Sequence, residues 1–292
     1  MSYILTLVTN PSVQILNEVI INKAFQQLEK ADAEIENLSW LKANEACDIS
    51  FSCEDINLVK SKLKFSKYPV DYAISKAETR KKKLFISDMD STIINQECID
   101  EIADLLGLKE QVSKITEKAM NNELDFKSAL RERVALLKDL PEDSLNKVYK
   151  DKITFSPYAL ELITALKKHD IYCVLVSGGF TFFTDKVAKE LGFHENHANR
   201  LEIKDGKLTG LVVEPILDKE AKLLSLTSIA KKLGISSSEV VAIGDGANDI
   251  PMLKKAGLGI AYYAKPVVQM EVNAWISHTS LKSVLYFLGI SD

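Results

Sequence analysis

Two aspartates, Asp88 and Asp90, stand directly after the short apolar run Leu84-Phe85-Ile86. An apolar run of this length predicts a buried strand, and ligands of open parallel sheets bind at the carboxyl ends of strands. Side chains at i and i+2 of an extended chain point the same way. The two carboxylates would therefore share one small space, and a cation, a shared proton or solvent would have to offset their repulsion. A solvated turn is the alternative interpretation, because Asp favours turns.

Two later apolar segments end in a similar way. A predicted strand at 172–176 is followed by Ser177-Gly178-Gly179, and one at 240–243 by the stretch 244–249, Gly-Asp-Gly-Ala-Asn-Asp. Either stretch alone could be a plain turn. The carboxyl ends of strands in one parallel sheet converge on one crevice, so the three stretches together predict a single polar site.

The residue types at these ends suit a phosphate group next to a hard cation. The carboxylates are those of Asp88, Asp90 and Asp245. Carboxylate oxygens suit Mg²⁺, and no cluster of His or Cys favours zinc. Ser177, the Gly178 N–H and the ammonium of Lys222 are donors for phosphate oxygens, although Lys222 alone would be interpreted as a solvated helix lysine. The combination predicts phosphoryl transfer.

Four stretches in this order resemble the motifs of the haloacid-dehalogenase-like phosphatases. They are Asp88-Met-Asp-Ser-Thr92, Ser177-Gly-Gly-Phe180, Lys222 and Gly244-Asp-Gly-Ala-Asn-Asp249. The chain is similar in particular to the branch of that family that hydrolyses phosphoserine. The marks of this branch are Glu97, Arg131-Glu-Arg133-Val134, Asn199-Arg-Leu201 and Asp205-Gly-Lys-Leu-Thr-Gly210. The resemblance covers about residues 84–285.

The resemblance implies Mg²⁺-dependent hydrolysis of O-phospho-L-serine to L-serine and phosphate, the last step of serine biosynthesis. Asp88 would be the nucleophile that forms an aspartyl-phosphate. Asp90 would protonate the leaving serine oxygen and then act as base toward water. Asp88, the main-chain carbonyl of Asp90, and Asp245 would hold the metal, while Asp249 would orient these ligands and Lys222.

The resemblance also assigns the contacts to substrate. The phosphate would be held by Ser177, Gly178, Lys222 and Asn248. Glu97 would meet the ammonium group of the substrate, and Arg133 would meet its carboxylate. Arg131 is the rival of Arg133, and we expect Arg131 at the surface. Without the resemblance, the residue types alone would favour solvent-exposed helix side chains for Glu97 and Arg133, because Glu and Arg are mostly exposed in proteins.

Hydrophobic periodicity divides the chain into two α/β units. Residues 1–80 follow the β-α-β-β-α-β order of a ferredoxin-like domain and resemble an ACT-like regulatory domain in that order alone. The last strand of this unit, 68–74, is expected near a sheet edge, because Pro69 cannot donate to a ladder. The charged segment 75–83 is the expected linker. Every motif lies beyond it, so residues 81–292 are expected to fold and act alone.

Residues 81–292 alternate strands and helices, as in a doubly wound, Rossmann-like parallel sheet. A helical block over about 97–155 interrupts this pattern after the first core strand. We expect this block to lie over the carboxyl end of that strand as a helical cap. Asp205-Gly206 between two apolar segments predicts a β-hairpin.

Composition limits the partners and the compartment. With 37 basic and 41 acidic residues the net charge is −4, so no basic surplus indicates a nucleic-acid surface. No apolar run approaches the length of a membrane span. The cysteines, Cys47, Cys53, Cys98 and Cys173, have no metal or CxxC spacing. We expect a cytosolic enzyme with a small-molecule substrate and no nucleic-acid or membrane partner, and a homodimer through residues 1–80 is an open alternative to a monomer.

Two other functions are compatible with these features. One is a phosphatase or phosphotransferase on the same scaffold that acts on another small phosphoester, although Glu97 with Arg133 favours an amino-acid substrate. The other is a regulatory protein that binds an amino acid through residues 1–80 and has weak catalysis. The complete acidic set argues against the second alternative.

Overall fold

A computed structural model describes residues 1–65, 67–120 and 123–291 of the chain. The first part is a four-stranded antiparallel sheet with two helices, in the predicted order of elements. The elements are β1 (Ser2–Thr9), α1 (Glu18–Glu29), β2 (Glu34–Lys42), β3 (Ala46–Ser52), α2 (Ile56–Lys62) and β4 (Val70–Lys76). β1 pairs with β3 and with β4, and β2 lies outside β3. The Asn17 side chain caps α1 by accepting from the Ile20 N–H, which satisfies one free donor of the first turn.

From residue 84 onward, strands alternate with helices. The elements up to the hairpin are β5 (Leu84–Ser87), α3 (Cys98–Leu105), α4 (Lys109–Met120), α5 (Phe126–Ala135), α6 (Glu142–Lys152), α7 (Ala159–Lys168), β6 (Tyr172–Phe180), α8 (Thr181–Leu191), β7 (Glu195–Lys204) and β8 (Lys207–Val213). The remaining elements are α9 (Lys219–Lys232), β9 (Val240–Gly244), α10 (Ile250–Lys255), β10 (Leu258–Tyr262), α11 (Pro266–Gln269), β11 (Ala274–Ile276) and α12 (Lys282–Phe287).

β5 lies in the interior of the parallel part of the sheet, between β9 and β6. It pairs in parallel with β6 on one side and with β9 on the other, so the chain order reverses at β5, and crevices form at such switch points. Every residue of β5, β9 and β10 is buried, as expected for parallel strands covered on both faces. Alternate residues of β5 enter different apolar clusters, Phe85 one and Ile86 the other.

The predicted hairpin is confirmed. β7 and β8 pair antiparallel, and the two turn residues, Asp205 and Gly206, have φ angles of 50° and 73°. Positive φ at both central positions is the geometry of a type I′ turn, whose twist matches that of the flanking strands.

The two units share one sheet, and β4 is not an edge strand. Among the described residues, eleven strands form one sheet in the order β2-β3-β1-β4-β11-β10-β9-β5-β6-β7-β8. β4 lies between β1 and β11 and pairs antiparallel with β11. The edge position predicted from Pro69 is therefore wrong: β4 begins one residue later, at Val70, so the missing N–H of Pro69 falls outside the ladder. Periodicity does not predict β11 or α11, which have three and four residues.

The segment predicted to be a linker is packed between the two units. The Arg80 guanidinium forms an ion pair with Asp48 of β3 and donates to the carbonyls of Tyr286 and Phe287 at α12. Lys82 is buried, and its ammonium donates to the carbonyls of Thr79 and Ser238. These charged side chains form contacts at the junction of the two units. A charged sequence pattern alone does not distinguish such a buried segment from an exposed linker. No helix in the described part of the chain is long and apolar enough to cross a membrane.

Candidate active site

Asp88 lies immediately beyond the end of β5 and is buried, with 5% of its surface exposed. Its N–H donates to the Ile243 carbonyl of β9 at 3.0 Å, which continues the parallel ladder by one residue. Its carboxylate oxygen Oδ1 accepts from the Met89 N–H at 2.8 Å. The strand end therefore fixes both the backbone and the side chain of Asp88, as predicted from the apolar run that precedes it.

Lys222 binds two of the site carboxylates. Its Nζ atom lies 2.7 Å from Oδ1 of Asp88 and 2.7 Å from Oδ1 of Asp249, and the Lys222 side chain is only 3% exposed. Burial by itself disfavours the ammonium, but the charges of Asp249 and Asp88 outweigh it, so the pKa of Lys222 is raised. The alternative of a solvated helix lysine is therefore wrong for Lys222.

Three carboxylates form a cluster that can hold a cation. One oxygen each of Asp88, Asp245 and Asp249 lies within 4.8 Å of the other two. Burial and then the charge of Asp249 raise the pKa of Asp88 well above its ordinary range and that of Asp245 to about 6. Thr92 donates to Oδ1 of Asp245 at 3.0 Å. Crowded carboxylate oxygens with raised pKa values fit a hard divalent cation, which would offset their repulsion.

The Gly244-Asp245-Gly246 stretch is shaped by its neighbour Asp249. A Cβ atom on Gly244 would lie 2.5 Å from Cγ of Asp249, and the Gly246 N–H donates to Oδ2 of Asp249 at 3.0 Å. Glycine is needed at 244 because the buried carboxylate approaches the backbone there. The stretch is therefore more than the plain turn that its sequence allows.

Asp90 lies beside this cluster and is bound from two sides. Its Oδ1 accepts from the Cys98 N–H at 2.8 Å, and its Oδ2 accepts from the Ser177 hydroxyl at 2.9 Å. The Cys98 N–H belongs to the first turn of α3, where free donors favour a carboxylate. The structure thus brings the end of β5 and the Ser177 turn of β6 together, as the strand-end argument predicts.

The two residues assigned to the amino-acid end of the substrate lie near Asp90. Glu97 accepts from the Ser91 hydroxyl at 2.7 Å. Glu97 is an exposed residue, but desolvation of its carboxyl group, followed by the charge of Asp90, raises its pKa to about 8. Burial lowers the pKa of Arg133, opposed by Asp100, Glu97 and Asp90 in that order. Arg133 remains a cation, because a guanidinium is not deprotonated in proteins.

Arg131 occupies a different environment from Arg133. Its guanidinium pairs with Glu214 at 2.6 Å, and both side chains are more than half exposed. Arg133 is partly buried and binds the Ala129 carbonyl and the Thr116 hydroxyl. The expectation that Arg131 lies at the surface is confirmed.

The remaining predicted residues, Gly178 and Asn248, lie in the two stretches that carry Ser177 and Asp245. A Cβ atom on Gly178 would lie 3.3 Å from the Phe126 ring of α5, so α5 lies against the Ser177 turn. The Asn248 amide folds over Gly246 in the stretch that carries Asp245. All predicted residues of the catalytic, phosphate and metal sets therefore derive from strand ends or from α9.

Three side chains near the site received no role from the sequence: Thr92, Asp100 and Asn199. Thr92 binds Asp245. Among the neighbouring charges, Asp100 has the largest effect on the pKa of Arg133 and raises it. Asn199 is buried on β7 and binds the Gly178 carbonyl at 2.8 Å. Asn199 is one of the marks of the phosphoserine branch, but the sequence does not indicate that it binds the backbone of β6.

Comparison with known proteins agrees with the geometry. The family model for haloacid dehalogenase-like hydrolases matches residues 85–254. A Methanocaldococcus jannaschii protein named phosphoserine phosphatase is 46% identical over 209 residues, which are 72% of this chain and 99% of that relative. The crystal structure of a HAD family hydrolase from Salmonella enterica serovar Typhi superposes with a TM-score of 0.85 at 29% identity, covering 98% of both chains.

A crystal structure of a probable phosphoserine phosphatase from Vibrio cholerae has a TM-score of 0.76 at 31% identity, covering 99% of this chain and 86% of that one. The family match covers more than half of the sequence and includes the ends of β5, β6 and β9 that carry the site. The chain belongs to the haloacid dehalogenase-like hydrolases.

Proposed function

We propose that the protein is a phosphoserine phosphatase that hydrolyses O-phospho-L-serine to L-serine and phosphate, the last step of serine biosynthesis. One observation carries this proposal. A buried Asp88–Lys222 pair lies at the strand ends, and Asp90, two residues after Asp88, acts electrostatically on both the Glu97 carboxyl and the Arg133 guanidinium. The first pair suits a phosphate, and Glu97 with Arg133 suits an ammonium and a carboxylate. The relative that is 46% identical is named for this activity.

In the proposed mechanism Asp88 attacks phosphorus and the phosphorus–serine oxygen bond breaks. Lys222 and the Met89 N–H both bind Oδ1 of Asp88, so we assign the attack to Oδ2. Asp90 enters the cycle with a proton and gives it to the leaving serine oxygen. Asp90 later takes a proton from the water whose oxygen bonds to phosphorus, while the bond from phosphorus to the Asp88 oxygen breaks. Phosphate leaves, and the Asp88 carboxylate is restored. Covalent catalysis of this kind splits one difficult step into two easier ones.

We assign Mg²⁺ to Asp88, the main-chain carbonyl of Asp90, and Asp245. When bound, the cation neutralises charge on the carboxylates and on the phosphate. Asp249 belongs to the same cluster, but its oxygens bind Lys222 and the Gly246 N–H. These contacts support an orienting role for Asp249 rather than direct ligation.

The phosphate is held by donors from two strand ends, those of β6 and β9, and from one helix, α9. They are the Ser177 hydroxyl, the Gly178 N–H, the Lys222 ammonium and the Asn248 amide. Ser177 is 1% exposed and Lys222 is 2% exposed, so both act where water competes weakly for the phosphate oxygens. Hydrogen bonds to a charged group in such surroundings are stronger than those between neutral groups.

Glu97 and Arg133 set the choice of substrate. In this proposal Glu97 binds the substrate ammonium and Arg133 binds its carboxylate. Burial and then the charge of Asp90 raise the pKa of Glu97, and a substrate ammonium there would lower it. The Arg133 guanidinium donates to the Ala129 carbonyl and to the Thr116 hydroxyl, and these two bonds hold it in place.

The proposal divides the chain into residues 1–80 and residues 81–292, with a helical cap over about 97–155. Two contacts support the cap. Phe126 joins α5 to the Ser177 turn of β6, and the Lys127–Asp218 ion pair joins α5 to the start of α9. The strand order β2-β3-β1-β4 supports a ferredoxin-like, ACT-like first unit. β2 is the outermost strand of the described sheet on that side, and this edge supports a homodimer through residues 1–80. Four free, buried cysteines support a cytosolic setting.

The proposed function is tested by phosphate release from O-phospho-L-serine with Mg²⁺ and with a chelator. Phosphoethanolamine, which lacks the carboxylate, and glycerol phosphate, which lacks both amino-acid groups, complete the panel. We expect phosphoserine to be turned over far faster than the other two esters, and we expect its turnover to be lost in the chelator and in Asp88→Asn. Equal turnover of all three esters would support a phosphatase for another small phosphoester. Binding of an amino acid without phosphate release would support the regulatory alternative.

A further inference from the structure

β6 departs from regular pairing where it enters the site. Val176 pairs with His197 of β7, but the next pair is Phe180 with Asn199. Three residues of β6, 177–179, thus stand opposite one residue of β7. Such a bulge leaves backbone groups without ladder partners, and a buried carbonyl or N–H without a partner is costly. The side chain of Asn199 lies at this position.

Asn199 supplies the partner for one backbone group of the bulge, the Gly178 carbonyl, and also binds Leu217. It is 1% exposed. Its Nδ2 donates to the Gly178 carbonyl at 2.8 Å and to the Leu217 carbonyl at 3.2 Å, and its Oδ1 accepts from the Leu217 N–H at 2.7 Å. Only one orientation of the amide satisfies two carbonyls and one N–H. Asn199 therefore joins the Ser177 turn to the segment before α9.

A chain of hydrogen bonds leads from Asn199 to Asp90. The peptide between Gly178 and Gly179 accepts from Asn199 through its carbonyl and donates through the Gly179 N–H to the Ser177 Oγ at 2.8 Å. The Ser177 hydroxyl then donates to Oδ2 of Asp90 at 2.9 Å. Because a peptide is planar, fixing the carbonyl of Gly178 also fixes the direction of the N–H that binds Ser177.

The second branch leads to Lys222. Leu217 is followed by Asp218, whose side chain caps α9 by accepting from the N–H groups of Glu220 and Ala221. α9 carries Lys222 one turn later. Asn199 thus touches the two segments that supply the Ser177, Gly178 and Lys222 donors, although it contacts none of the reacting groups itself.

We infer that Asn199 is a positioning residue that sets the geometry of the phosphate donors and of Ser177 against Asp90. This inference rests on the proposed function for its kinetic part. It concerns the phosphate end of the site and not the Glu97 and Arg133 end. Loss of the Asn199 side chain should therefore weaken phosphate binding and slow turnover, while leaving the binding of free L-serine unchanged.

The test compares Asn199→Ala with Asn196→Ala. Asn196 lies on the same strand and its side chain is also hydrogen bonded, but to Thr184 and Asp185 of α8. We expect kcat of Asn199→Ala to fall by about a hundredfold, because small misplacements can cost that much. The inhibition constant of inorganic phosphate should rise about tenfold. The constant for L-serine should stay within about twofold in both variants, as for a distant substitution.

Hydrogen–deuterium exchange supplies a readout that does not depend on activity. Peptides that span 176–181 and 216–222 should exchange faster in Asn199→Ala than in the parent, whereas the α7 peptide 159–168 should not change. If Asn199→Ala does not fold, Asn199→Ser takes its place, because a hydroxyl keeps one donor with less volume.

Three results would overturn the assignment. They are kcat within about twofold of the Asn196→Ala control, equal losses for phosphate and L-serine, and unchanged exchange of peptides 176–181 and 216–222. Absence of phosphoserine turnover in the parent and in Asn196→Ala would instead reject the proposed function, and the exchange result would still decide whether Asn199 holds the two segments.

Discussion

The Nζ atom of Lys222 lies 2.7 Å from Oδ1 of Asp88, and both side chains are buried, at 3% and 7% exposure. A buried ion pair adds little net stability, but removal of one partner leaves an uncompensated charge. Here the same ammonium also binds Asp249. Lys222 is therefore both a phosphate donor in the proposed mechanism and the cation that allows two carboxylates to be buried together.

The first prediction follows from this arrangement. Lys222→Met should destabilise the metal-free protein by about 3–5 kcal/mol, because Asp88 and Asp249 lose their only nearby ammonium among the described residues. Urea unfolding measures this loss. Lys254→Met is the control, since Lys254 pairs with Glu271 at the surface and should cost about 0–1 kcal/mol. Equal losses in the two variants would contradict the role of Lys222 in charge compensation.

The second prediction concerns Asp90. Asp90→Asn keeps the size of the side chain and an oxygen for the Cys98 N–H, but it removes the group that exchanges protons. We expect phosphoserine turnover to fall about 10²–10⁴-fold with little change in thermal unfolding. Asp104→Asn, at a surface ion pair with Lys152, should leave the rate unaltered. A loss of only a few-fold in Asp90→Asn would assign the acid–base role to another group.

The third prediction concerns pH and the cation. Burial and Asp249 raise the pKa of Asp245 from its ordinary 3.8 to about 6. In the metal-free protein, Asp245 therefore stabilises the fold at pH values below 3.8, and this stabilisation is lost as pH rises through about 6. Mg²⁺ competes with the proton, so the increase in Tm on adding Mg²⁺ should be small at about pH 5 and large at about pH 7.5.

Thermal unfolding with and without Mg²⁺ across that range measures the effect. Asp245→Asn should show a smaller Mg²⁺-dependent increase in Tm at every pH, because it lacks one carboxylate ligand. An increase in Tm that is the same at both ends of the range would show that the carboxylate cluster does not bind the ion.

The fourth prediction concerns substrate choice. Arg133→Ala should lower kcat/KM for phosphoserine by one to several decades, since truncation of a charge-assisted pair costs about 2–5 kcal/mol and about 1.4 kcal/mol is tenfold. Phosphoethanolamine, which has no carboxylate, should be affected far less. Arg131→Ala is the matched control, because Arg131 pairs with Glu214 at the surface. Equal losses on both esters would contradict a carboxylate contact.

The fifth prediction concerns a fragment of residues 81–292, which the sequence alone predicts to fold and act on its own. Deletion of residues 1–80 would expose the edge of β11 and remove the Tyr72 ring that packs on Trp275 at 4.3 Å. It would also remove Asp71, whose carboxylate accepts from the N–H groups of Ser277 and Thr279. We expect the fragment to unfold at a lower temperature and to self-associate through the exposed edge.

Size-exclusion chromatography with light scattering and thermal unfolding measure both effects. Asp71→Ala in the full chain is the matched variant, because it removes the hydrogen bonds and keeps the β4–β11 ladder. It should lower stability without self-association. A monomeric fragment as stable as the full chain would show that the junction contributes nothing.

The sequence by itself determined the α/β class, the hairpin at 205–206 and the polar stretches that follow three buried strands. These features are local in origin. A buried strand needs a run of apolar residues, a type I′ turn needs residues that tolerate positive φ, and polar residues after three apolar runs must meet if the strands are parallel. The placement of Asp88, Ser177 and Asp245 in one crevice follows from this logic.

Only the tertiary structure decided how the two units join and which charges are buried. The Arg80–Asp48 pair and the Asp71 contacts with residues 277–279 link residues far apart in the chain, and no local pattern distinguishes such charges from solvated ones. The same holds for Asn199 in the bulge of β6. Burial and hydrogen-bond partners are set by which elements pack together, and these long-range contacts leave no period in the sequence.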